Sequence, residues 1–290
     1  MFKLISIEGN SLKLDAGTMF GHVPKALWSK WYIADKLNRI RISCRSLLVR
    51  DNGKNILFDV GVGVYLNSEL RRRYGIENRH ILLESLAKQR LTHEDINFIV
   101  LSHLHFDHIG GLLPKWHKNY KPTLLFPNAK ILISEKAWYR ANNPHIYDQA
   151  SFAPEINELI ANSGRLKIVS DANLLGPKYR FHFSDGHTPG LISTEINTEN
   201  GSIIFVSDLI VGTHWVHLPI STSYDRAPEI ATNEKEQLLI HAMNTNAHLF
   251  YVHDPETVTS EVKQDETGHF YATNLQSSFA KATEEKLLLC

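Results

Sequence analysis

The segment Ser102–Gly111 concentrates metal-binding side chains directly after an apolar run. Three imidazoles and one carboxylate fall inside six residues: His103, His105, Asp107 and His108. Zinc and similar divalent ions bind neutral imidazole and carboxylate, and a catalytic site keeps one coordination position for water. Such ions lower the pKa of a bound water from about 15.7 towards 7. The segment therefore predicts a metal-activated hydroxide that attacks an electrophilic centre.

Two spacings inside this segment divide its ligands into pairs. His103 and His105, separated by one residue after a strand, can point the same way and hold one ion. Asp107 and His108 can face a second ion, because Gly110-Gly111 lets the backbone turn sharply into a helix. A lone histidine is more often a hydrogen-bonded structural residue than a ligand. Four ligand-type residues in six favour coordination.

Three further ligand-type residues follow at long intervals: His187, Asp208 and His253. Each stands just after or at the end of a strand-like run. Taken alone, Asp208 can equally be interpreted as a helix cap, and His253 as a turn residue. Because all three stand at strand ends, we expect them to converge on one edge of the fold. His182, on the strand before His187, has no such setting and is interpreted as a surface or core residue.

Composition limits the function classes. The chain has 290 residues, with 31 basic and 31 acidic side chains. It therefore lacks the excess of basic charge that is typical of proteins that bind nucleic acid or an anionic membrane. Two cysteines, Cys44 and Cys290, predict no disulfide framework. The sequence shows no recognisable secretory leader or membrane span, so we expect a cytoplasmic protein. We expect its partner to be a small-molecule substrate, and a homodimer remains open.

Periodic runs outline the elements that must position the ligands. Strands are predicted at Lys3–Ile7, Ser11–Leu14, Arg41–Val49, Asn55–Asp59, Asn97–Ser102, Lys130–Ile133, Arg165–Val169, Tyr179–Phe183, Leu191–Asn197, Ser202–Ser207 and His248–Val252. Helices are predicted at Ile81–Lys88, Glu135–Arg140, Glu155–Asn162 and Glu234–Met243. Asp51-Asn52-Gly53 and Asn200-Gly201 predict antiparallel hairpins. The pattern indicates two mixed sheets packed face to face under outer helices, in one domain over residues 1–290.

Residues 17–39 form a long, aromatic-rich connection between two predicted strands. A connection of this kind is more typical of a substrate flap than of a passive loop. The flap and the loop after Asp208 are predicted to line an apolar pocket through Met19, Phe20, Trp28, Phe106, Trp215, Leu218 and Tyr224. Each of these residues alone is more often part of a core. Together they favour a substrate with an apolar acyl or aryl group.

The pattern His-x-His-x-Asp-His, followed by a later His, Asp and His, resembles the metallo-β-lactamase-fold superfamily of dinuclear hydrolases. Phe58-Asp59-Val60-Gly61 is similar to the Asp-x-Gly turn that precedes this pattern, and the resemblance covers roughly Ile40 to Pro255. It implies an α+β fold, an αββα four-layer sandwich of two mixed β-sheets flanked by helices. It also implies one metal held by His103, His105 and His187, a second held by Asp107, His108 and His253, and Asp208 as the bridge.

Within the superfamily, SHLHFDHIGG, GTMFGHVPKALW and SDLIVGTHWVHLPISTSYD resemble the N-acyl homoserine lactone lactonase branch. The resemblance implies that a metal-bridging hydroxide opens lactones or related esters, that Asp107 moves the proton, and that the role is quorum quenching. The chain departs from the branch at Val211, where the lactonases carry a tyrosine. Tyr224 in the following loop is an alternative source of that hydroxyl. The implied cofactors are two divalent ions, zinc first, with manganese, iron, cobalt or nickel as alternatives.

Orientation of the ligand histidines requires hydrogen-bond partners behind them. Asp59 is the first candidate for this role and Asp254 a weaker one, although either can equally be an ordinary turn residue.

Other functions on the same fold remain open. A phosphotriesterase or arylesterase belongs to the same branch. A thioesterase of the glyoxalase II type would use the same ligands, but it carries a basic carboxy-terminal domain, whereas SSFAKATEEKLLLC is short and of mixed charge. A nucleic-acid phosphodiesterase needs a basic face or an inserted domain, and the sequence indicates neither. A non-catalytic metal-binding sensor is disfavoured because all seven ligands are present.

Overall fold

Strands and short helices alternate along residues 2–119, 121–199 and 201–279, the part of the chain that this computed structural model describes. The strands are β1 Lys3–Ile7, β2 Leu12–Asp15, β3 Arg39–Ile42, β4 Ser46–Asp51, β5 Lys54–Phe58, β6 Phe98–Val100, β7 Lys130–Ser134, β8 Leu166–Val169, β9 Tyr179–Ser184, β10 Leu191–Thr198, β11 Gly201–Phe205, β12 His248–Phe250, β13 Thr259–Gln264 and β14 Phe270–Gln276. The α-helices are α1 Ala16–Phe20, α2 Lys25–Trp28, α3 Ser68–Tyr74, α4 Ile81–Lys88, α5 Phe106–Ile109, α6 Glu135–Asn142, α7 Pro154–Asn162 and α8 Pro228–Thr245. Within these ranges no helix is long and apolar enough to cross a membrane. Asn200 and Cys290 lie outside the described residues.

Two mixed sheets form the framework. The first has the order β1-β4-β5-β6-β7-β8, antiparallel from β1 to β5 and parallel from β5 to β8. The second has the order β14-β13-β12-β11-β10-β9 and is antiparallel except for the pair β11–β12. Strands β2 and β3 form a separate two-stranded ribbon. Both predicted hairpins are confirmed, since β4–β5 and β10–β11 are antiparallel neighbours.

Apolar side chains on alternate strand positions build three buried layers. Phe58, Phe205 and Phe250 lie between the two sheets, with neighbouring ring centroids 5.8 and 5.7 Å apart. The outer face of the first sheet packs under α4, α6 and α7, where Ile156 is fully buried. The outer face of the second sheet packs under α8 through side chains such as Leu239. This arrangement confirms the predicted αββα sandwich.

The predicted strand Arg41–Val49 is wrong as one continuous element, because it is interrupted between β3 and β4. The amides of Ser43 and Arg45 donate instead to the carbonyls of His253 and Val252, at 3.1 and 3.0 Å. The buried guanidinium of Arg45 donates further bonds to carbonyls of the same loop. The interruption therefore fixes the loop that carries the last predicted ligand.

Helix α3 and strands β13 and β14 have no counterpart among the sequence predictions. Strands β13 and β14 form one end of the second sheet; β14 is largely exposed, whereas β13 buries Thr259, Ser260 and Val262. Their sequences, TSEVKQ and FYATNLQ, lack the apolar alternation that identifies a half-buried strand.

Gly110 and Gly111 permit a close approach between two backbone segments. A Cβ at Gly111 would lie 1.9 Å from the carbonyl oxygen of Val60, and one at Gly110 would lie 2.2 Å from that of Val62. No side chain fits at these distances. The turn after the ligand segment therefore packs backbone against backbone on the loop that follows β5.

Replacing Gly111 with alanine is expected to lower the free energy of unfolding by about 3 kcal/mol or more, because the new methyl group would overlap Val60 and push the ligand turn away. Gly164→Ala is the matched control. Its φ of 69° makes alanine strained, but the added Cβ meets nothing within 4 Å, so we expect a loss of about 1–2 kcal/mol. Urea denaturation measures both losses. Equal losses would argue against the close approach as the cause.

Candidate metal centre

All seven predicted ligand residues meet at one edge of the sandwich. They are His103 and His105 after β6, Asp107 and His108 in α5, His187 after β9, Asp208 after β11, and His253 after β12. Strands β9, β11 and β12 run in the same direction within the second sheet, so their carboxyl ends come to the same edge. All the ligand imidazoles are buried.

Asp208 lies between two groups of imidazoles. Its Oδ1 is 3.1 Å from His108 Nε2 and 3.0 Å from His253 Nε2. Its Oδ2 is 3.3 Å from His187 Nε2 and 3.7 Å from His103 Nε2. Each carboxylate oxygen therefore faces one group, the division that the resemblance implied.

Hydrogen bonds at Nδ1 fix the tautomer of three imidazoles. The contacts are His108 Nδ1 to Asp59 Oδ2 at 2.8 Å, His187 Nδ1 to Asp225 Oδ1 at 2.7 Å, and His253 Nδ1 to the carbonyl oxygen of Ser43 at 2.6 Å. Carboxylate and carbonyl oxygens only accept, so each Nδ1 donates. Each Nε2 of a neutral ring then presents a lone pair to the centre.

A hydroxyl relay fixes the tautomer of His103 in the same sense. Ser102 Oγ donates to Asp59 Oδ2 at 2.7 Å and accepts from Ser207 Oγ at 2.8 Å. The Ser102 hydroxyl has one proton, and it donates that proton to Asp59. His103 Nδ1 lies 3.0 Å from Ser102 Oγ and must therefore donate to it. His103 Nε2 is left without a hydrogen-bond partner among the described residues.

The facing nitrogen atoms fit divalent cations. His108 Nε2 and His253 Nε2 lie 3.1 Å apart, and His105 Nδ1 and His187 Nε2 lie 3.3 Å apart. Two lone pairs at such distances repel unless a proton or a cation lies between them. Ligand atoms around a tetrahedral zinc ion are about 3.3 Å apart, given zinc–nitrogen distances of about 2.0–2.1 Å. The imidazole and carboxylate donors present therefore suit ions of this type.

Burial and charge set the protonation of the ligands. Burial lowers the pKa of His103 and His105 well below the usual value, and neighbouring imidazoles lower it further. Burial acts in the same direction on His108 and His253, but nearby carboxylates, Asp208 foremost, outweigh it and raise both pKa values well above the usual value. Cations at these nitrogens would therefore compete with protons.

Two non-glycine residues behind the ligands adopt left-handed backbone conformations, Asp59 with φ 53° and Ser207 with φ 48°. Such conformations cost free energy and persist only where their surroundings fix them. Asp59 is fixed by the Ser102 amide, which donates to Oδ1 at 2.7 Å, and by the His108 imidazole. The bonds that orient the histidines therefore also hold the strained turns. The structure thus gives Asp59 the position expected for orienting a ligand.

A cavity of about 120 Å³ opens onto the ligands. The polar part of its wall comes from His105, Asp107, His187, Asp208 and His253. The apolar and aromatic part comes from Leu14, Met19, Ile42, Tyr74, Phe106, Val211 and Tyr224. Three predicted pocket residues, Met19, Phe106 and Tyr224, therefore lie on the wall beside the centre.

Phe20 and Trp28, also predicted to contact substrate, lie behind this wall. Both are buried, and the Phe20 ring stacks on Trp28 and Trp215 at centroid distances of 5.9 and 4.5 Å. Trp215 borders a second small cavity, which Asp208 also lines, and donates from Nε1 to the carbonyl oxygen of Met19 at 3.0 Å. The aromatic rings pack the flap against the loop after β11. None of the three lines the cavity that contains Met19 and opens onto the ligands, so they support its wall instead of forming its surface.

Asp254 does not contact a ligand imidazole. Its Oδ2 accepts from the amide and hydroxyl of Thr213 at 3.0 and 2.8 Å, and its Oδ1 accepts from the amides of Glu256 and Thr257 at 3.0 and 2.8 Å. It therefore orders the turn after His253.

Asp225 and Cys44 are residues near the centre that sequence reasoning missed. Asp225 bonds to His187 across 38 positions of the chain, and no spacing rule predicts such a pair. Its one sequence signal is its place next to Tyr224. Cys44 is buried with its sulfur within 4.8 Å of ligand atoms of Asp107 and His253. Burial raises the pKa of its thiol.

An αββα sandwich with a carboxylate between two groups of imidazoles at its edge defines a class of metal-binding proteins. A family model described as the metallo-beta-lactamase superfamily matches residues 40–253. The chain belongs to this superfamily, and the resemblance inferred from its motifs is confirmed.

Curated relatives are N-acyl homoserine lactonases from bacilli. The N-acyl homoserine lactonase AiiA of Bacillus thuringiensis subsp. kurstaki is 26% identical over 147 residues, 50% of each chain. The N-acyl homoserine lactonase of Bacillus cereus is 29% identical over 114 residues, 39% of this chain and 38% of the relative. The chain thus spans half the length, or less, of these curated relatives.

Solved structures resemble the chain over almost its whole length. AidC, a dizinc quorum-quenching lactonase in complex with the product N-hexanoyl-L-homoserine, has a TM-score of 0.72 and 25% identity over 94% of both chains. A probable metal-dependent hydrolase from Staphylococcus aureus has a TM-score of 0.83 and 24% identity over 96% of both chains, and supports the fold alone. The prediction of a hydrolase is confirmed at the level of the family, and the reaction and substrate are proposals.

Asp59→Asn is expected to weaken metal binding about 10- to 100-fold, because the amide keeps the shape of the side chain but removes the charge that fixes the His108 tautomer. Competition of the metal-loaded protein with a chelator, followed by elemental analysis, measures the change. Asp51→Asn is the control, since Asp51 is also buried but contacts Lys178 and Tyr179 instead of a ligand. Equal metal retention in both variants would show that Asp59 does not support metal binding through His108.

Proposed function

We propose that this protein is a metal-dependent hydrolase that opens lactones of the N-acyl homoserine lactone type or cleaves related esters. The observation that carries the proposal is the Asp208 carboxylate between two imidazole groups, directly beside a cavity with an apolar wall. The lactonase names of the curated relatives and of AidC support the lactone class. Degradation of quorum signals is the corresponding proposed role.

Two divalent ions, with zinc as the first candidate, would be held by His103, His105 and His187 on one side and by Asp107, His108 and His253 on the other. Asp208, whose two oxygens face the two groups, would contribute to both sites. When bound, they would supply Lewis-acid polarisation of the substrate carbonyl and a water ionised near neutral pH.

The orienting contacts prepare the centre for this role. Asp59, Asp225 and the carbonyl of Ser43 hold the Nε2 atoms of their histidines towards the Asp208 carboxylate. A site organised in advance does not have to reorganise during the reaction, and this lowers the barrier.

Asp107 is the residue that we propose moves a proton. Its carboxylate lines the cavity, with Oδ2 3.7 Å from His253 Nε2. Lactone hydrolysis adds the oxygen of water to the carbonyl carbon, breaks the ring C–O bond and delivers a proton to the departing alkoxide. We assign Asp107 the transfer of that proton from the attacking water to the alkoxide oxygen.

The cavity favours a substrate with a small reacting end. Its volume of about 120 Å³ is below the roughly 300–1,000 Å³ of typical ligand pockets. A lactone ring or ester group fits beside the ligands, and a longer acyl chain would extend past Phe106 and the flap residue Met19. The proposed substrate is therefore a small molecule with an apolar acyl or aryl group.

Aryl esters and phosphotriesters are the second candidate class, and one observation favours them. Val211 lines the cavity at the position where the lactonases of the resembling branch have a tyrosine. The wall there is apolar, which suits an aromatic ring better than a polar lactone amide.

The substrate class can be tested on metal-loaded protein with acyl homoserine lactones, aryl esters, phosphotriesters and bis-p-nitrophenyl phosphate. We expect the highest kcat/KM with acyl homoserine lactones. His105→Ala should abolish turnover and weaken metal retention, and serves as the control for contaminating hydrolases. Turnover of the phosphodiester alone would contradict the proposed substrate class without affecting the metal centre.

Tyr224 is the proposed hydroxyl donor to the substrate in place of the tyrosine missing at position 211. It lies on the cavity wall, and burial raises its pKa well above the usual value, so the phenol keeps its proton at neutral pH. We expect Tyr224→Phe to lower kcat/KM for lactones about 10- to 100-fold, the effect of losing one hydrogen bond to a reacting group. Tyr139→Phe, at an exposed tyrosine, should leave it unchanged. Equal activity of the two variants would exclude this role for Tyr224.

A further inference from the structure

A second cluster of ligand-type side chains lies between the second sheet and helix α8. His182 on β9 and His241 on α8 each place Nε2 3.0 Å from Oε2 of Glu195 on β10. Their ring centroids are 5.2 Å apart. The two nitrogens and the carboxylate oxygen all lie within 4.8 Å of one another. Three elements distant in the chain thus bring two imidazoles and one carboxylate to a single point.

This cluster is separate from the candidate metal centre. On β9 and β10, Phe181 and Ile196 belong to the core between the sheets, so His182 and Glu195, one position away on each strand, point to the outer face under α8. The candidate centre instead lies at the edge of the sandwich, at strand ends. The two groups have no residue in common.

The cluster combines a buried carboxylate with two partly exposed imidazole side chains. The Glu195 side chain is 6% exposed, whereas those of His182 and His241 are 20% and 28% exposed. Hydrogen bonds from His182 and His241 hold the pKa of Glu195 down to about 2, so it stays ionised although it is buried. The partial exposure of the two imidazole side chains gives an ion from solvent a route to the cluster.

We propose that His182, Glu195 and His241 form a binding site for one divalent ion of the zinc, copper or nickel type. Two imidazoles and one carboxylate with a position left for water are a donor set that such ions accept. Donor atoms about 2.0–2.1 Å from a tetrahedral ion are about 3.3 Å apart. The observed nitrogen–oxygen separations of 3.0 Å therefore have to open by only about 0.3 Å.

An ion at this point would join α8 to β9 and β10. Helix α8 also supplies Glu234, which accepts hydrogen bonds from the Ser184 hydroxyl and from the amides of Asp185 and Gly186, just before His187. The site would thus stabilise the packing of the helix that supports one edge of the candidate metal centre. It goes beyond the proposed function, because it requires no substrate.

The test uses full-length protein whose candidate centre has been filled with zinc, titrated with Cu²⁺. We expect one additional ion per chain by elemental analysis, an electron paramagnetic resonance spectrum with hyperfine coupling to two imidazole nitrogens, and a higher Tm. The double variant His182→Ala, His241→Ala should lose all three signals while keeping its zinc and its hydrolytic activity. His248→Ala is the matched control, since His248 is a partly exposed histidine 3.8 Å from a glutamate on the same sheet.

Glu195→Gln provides an independent test if the double variant folds poorly, because it keeps the shape of the side chain and removes the charge. It should lose the additional copper ion. The proposal is wrong if wild-type protein takes up no additional copper at micromolar concentration, or if the double variant keeps the copper spectrum. Copper uptake in a protein that hydrolyses nothing would contradict only the proposed function.

Discussion

The two carboxylate oxygens of Asp208 impose the central constraint on this molecule. Each oxygen must reach a different group of imidazoles, and the distances of 3.0 to 3.7 Å leave little freedom for the elements that carry them. The second sheet meets this requirement because β9, β11 and β12 run in one direction and deliver His187, Asp208 and His253 to the same edge. The first sheet delivers the histidine segment after β6.

A layer of hydrogen bonds behind the ligands turns this convergence into a defined donor set. Asp59 is the central residue of the layer, because it binds the His108 imidazole directly and the His103 imidazole through Ser102. Its left-handed backbone is part of the same arrangement. In rigid sites of this kind, strained turns raise the free energy of the folded state, and buried hydrogen bonds offset that increase.

The sequence predicted the ligands better than it predicted their surroundings. The histidine segment and the strand-end residues have local signals, so all seven ligand-type residues of the centre and most of the strands could be predicted from their neighbours. Asp225 and Cys44 reach the centre only through tertiary folding. Apart from the place of Asp225 next to Tyr224, nothing within a few residues of them indicates it. Phe20 and Trp28 were expected at the pocket surface because they are aromatic and lie in the flap, but composition cannot distinguish a side chain on a wall from one behind it. Strand β14 was missed since exposed strands carry little hydrophobic periodicity.

Long-range pairing between the two halves determines when the centre can form. The carbonyl of Ser43 holds His253, 210 positions later, and the guanidinium of Arg45 binds carbonyls 206 and 209 positions away. Contacts this distant in sequence cannot form until both partners have been synthesised. During synthesis, a metal ion that meets the nascent chain early encounters the histidine segment alone, without Asp208. The complete group of ligand-type residues can therefore assemble only after His253 has left the ribosome.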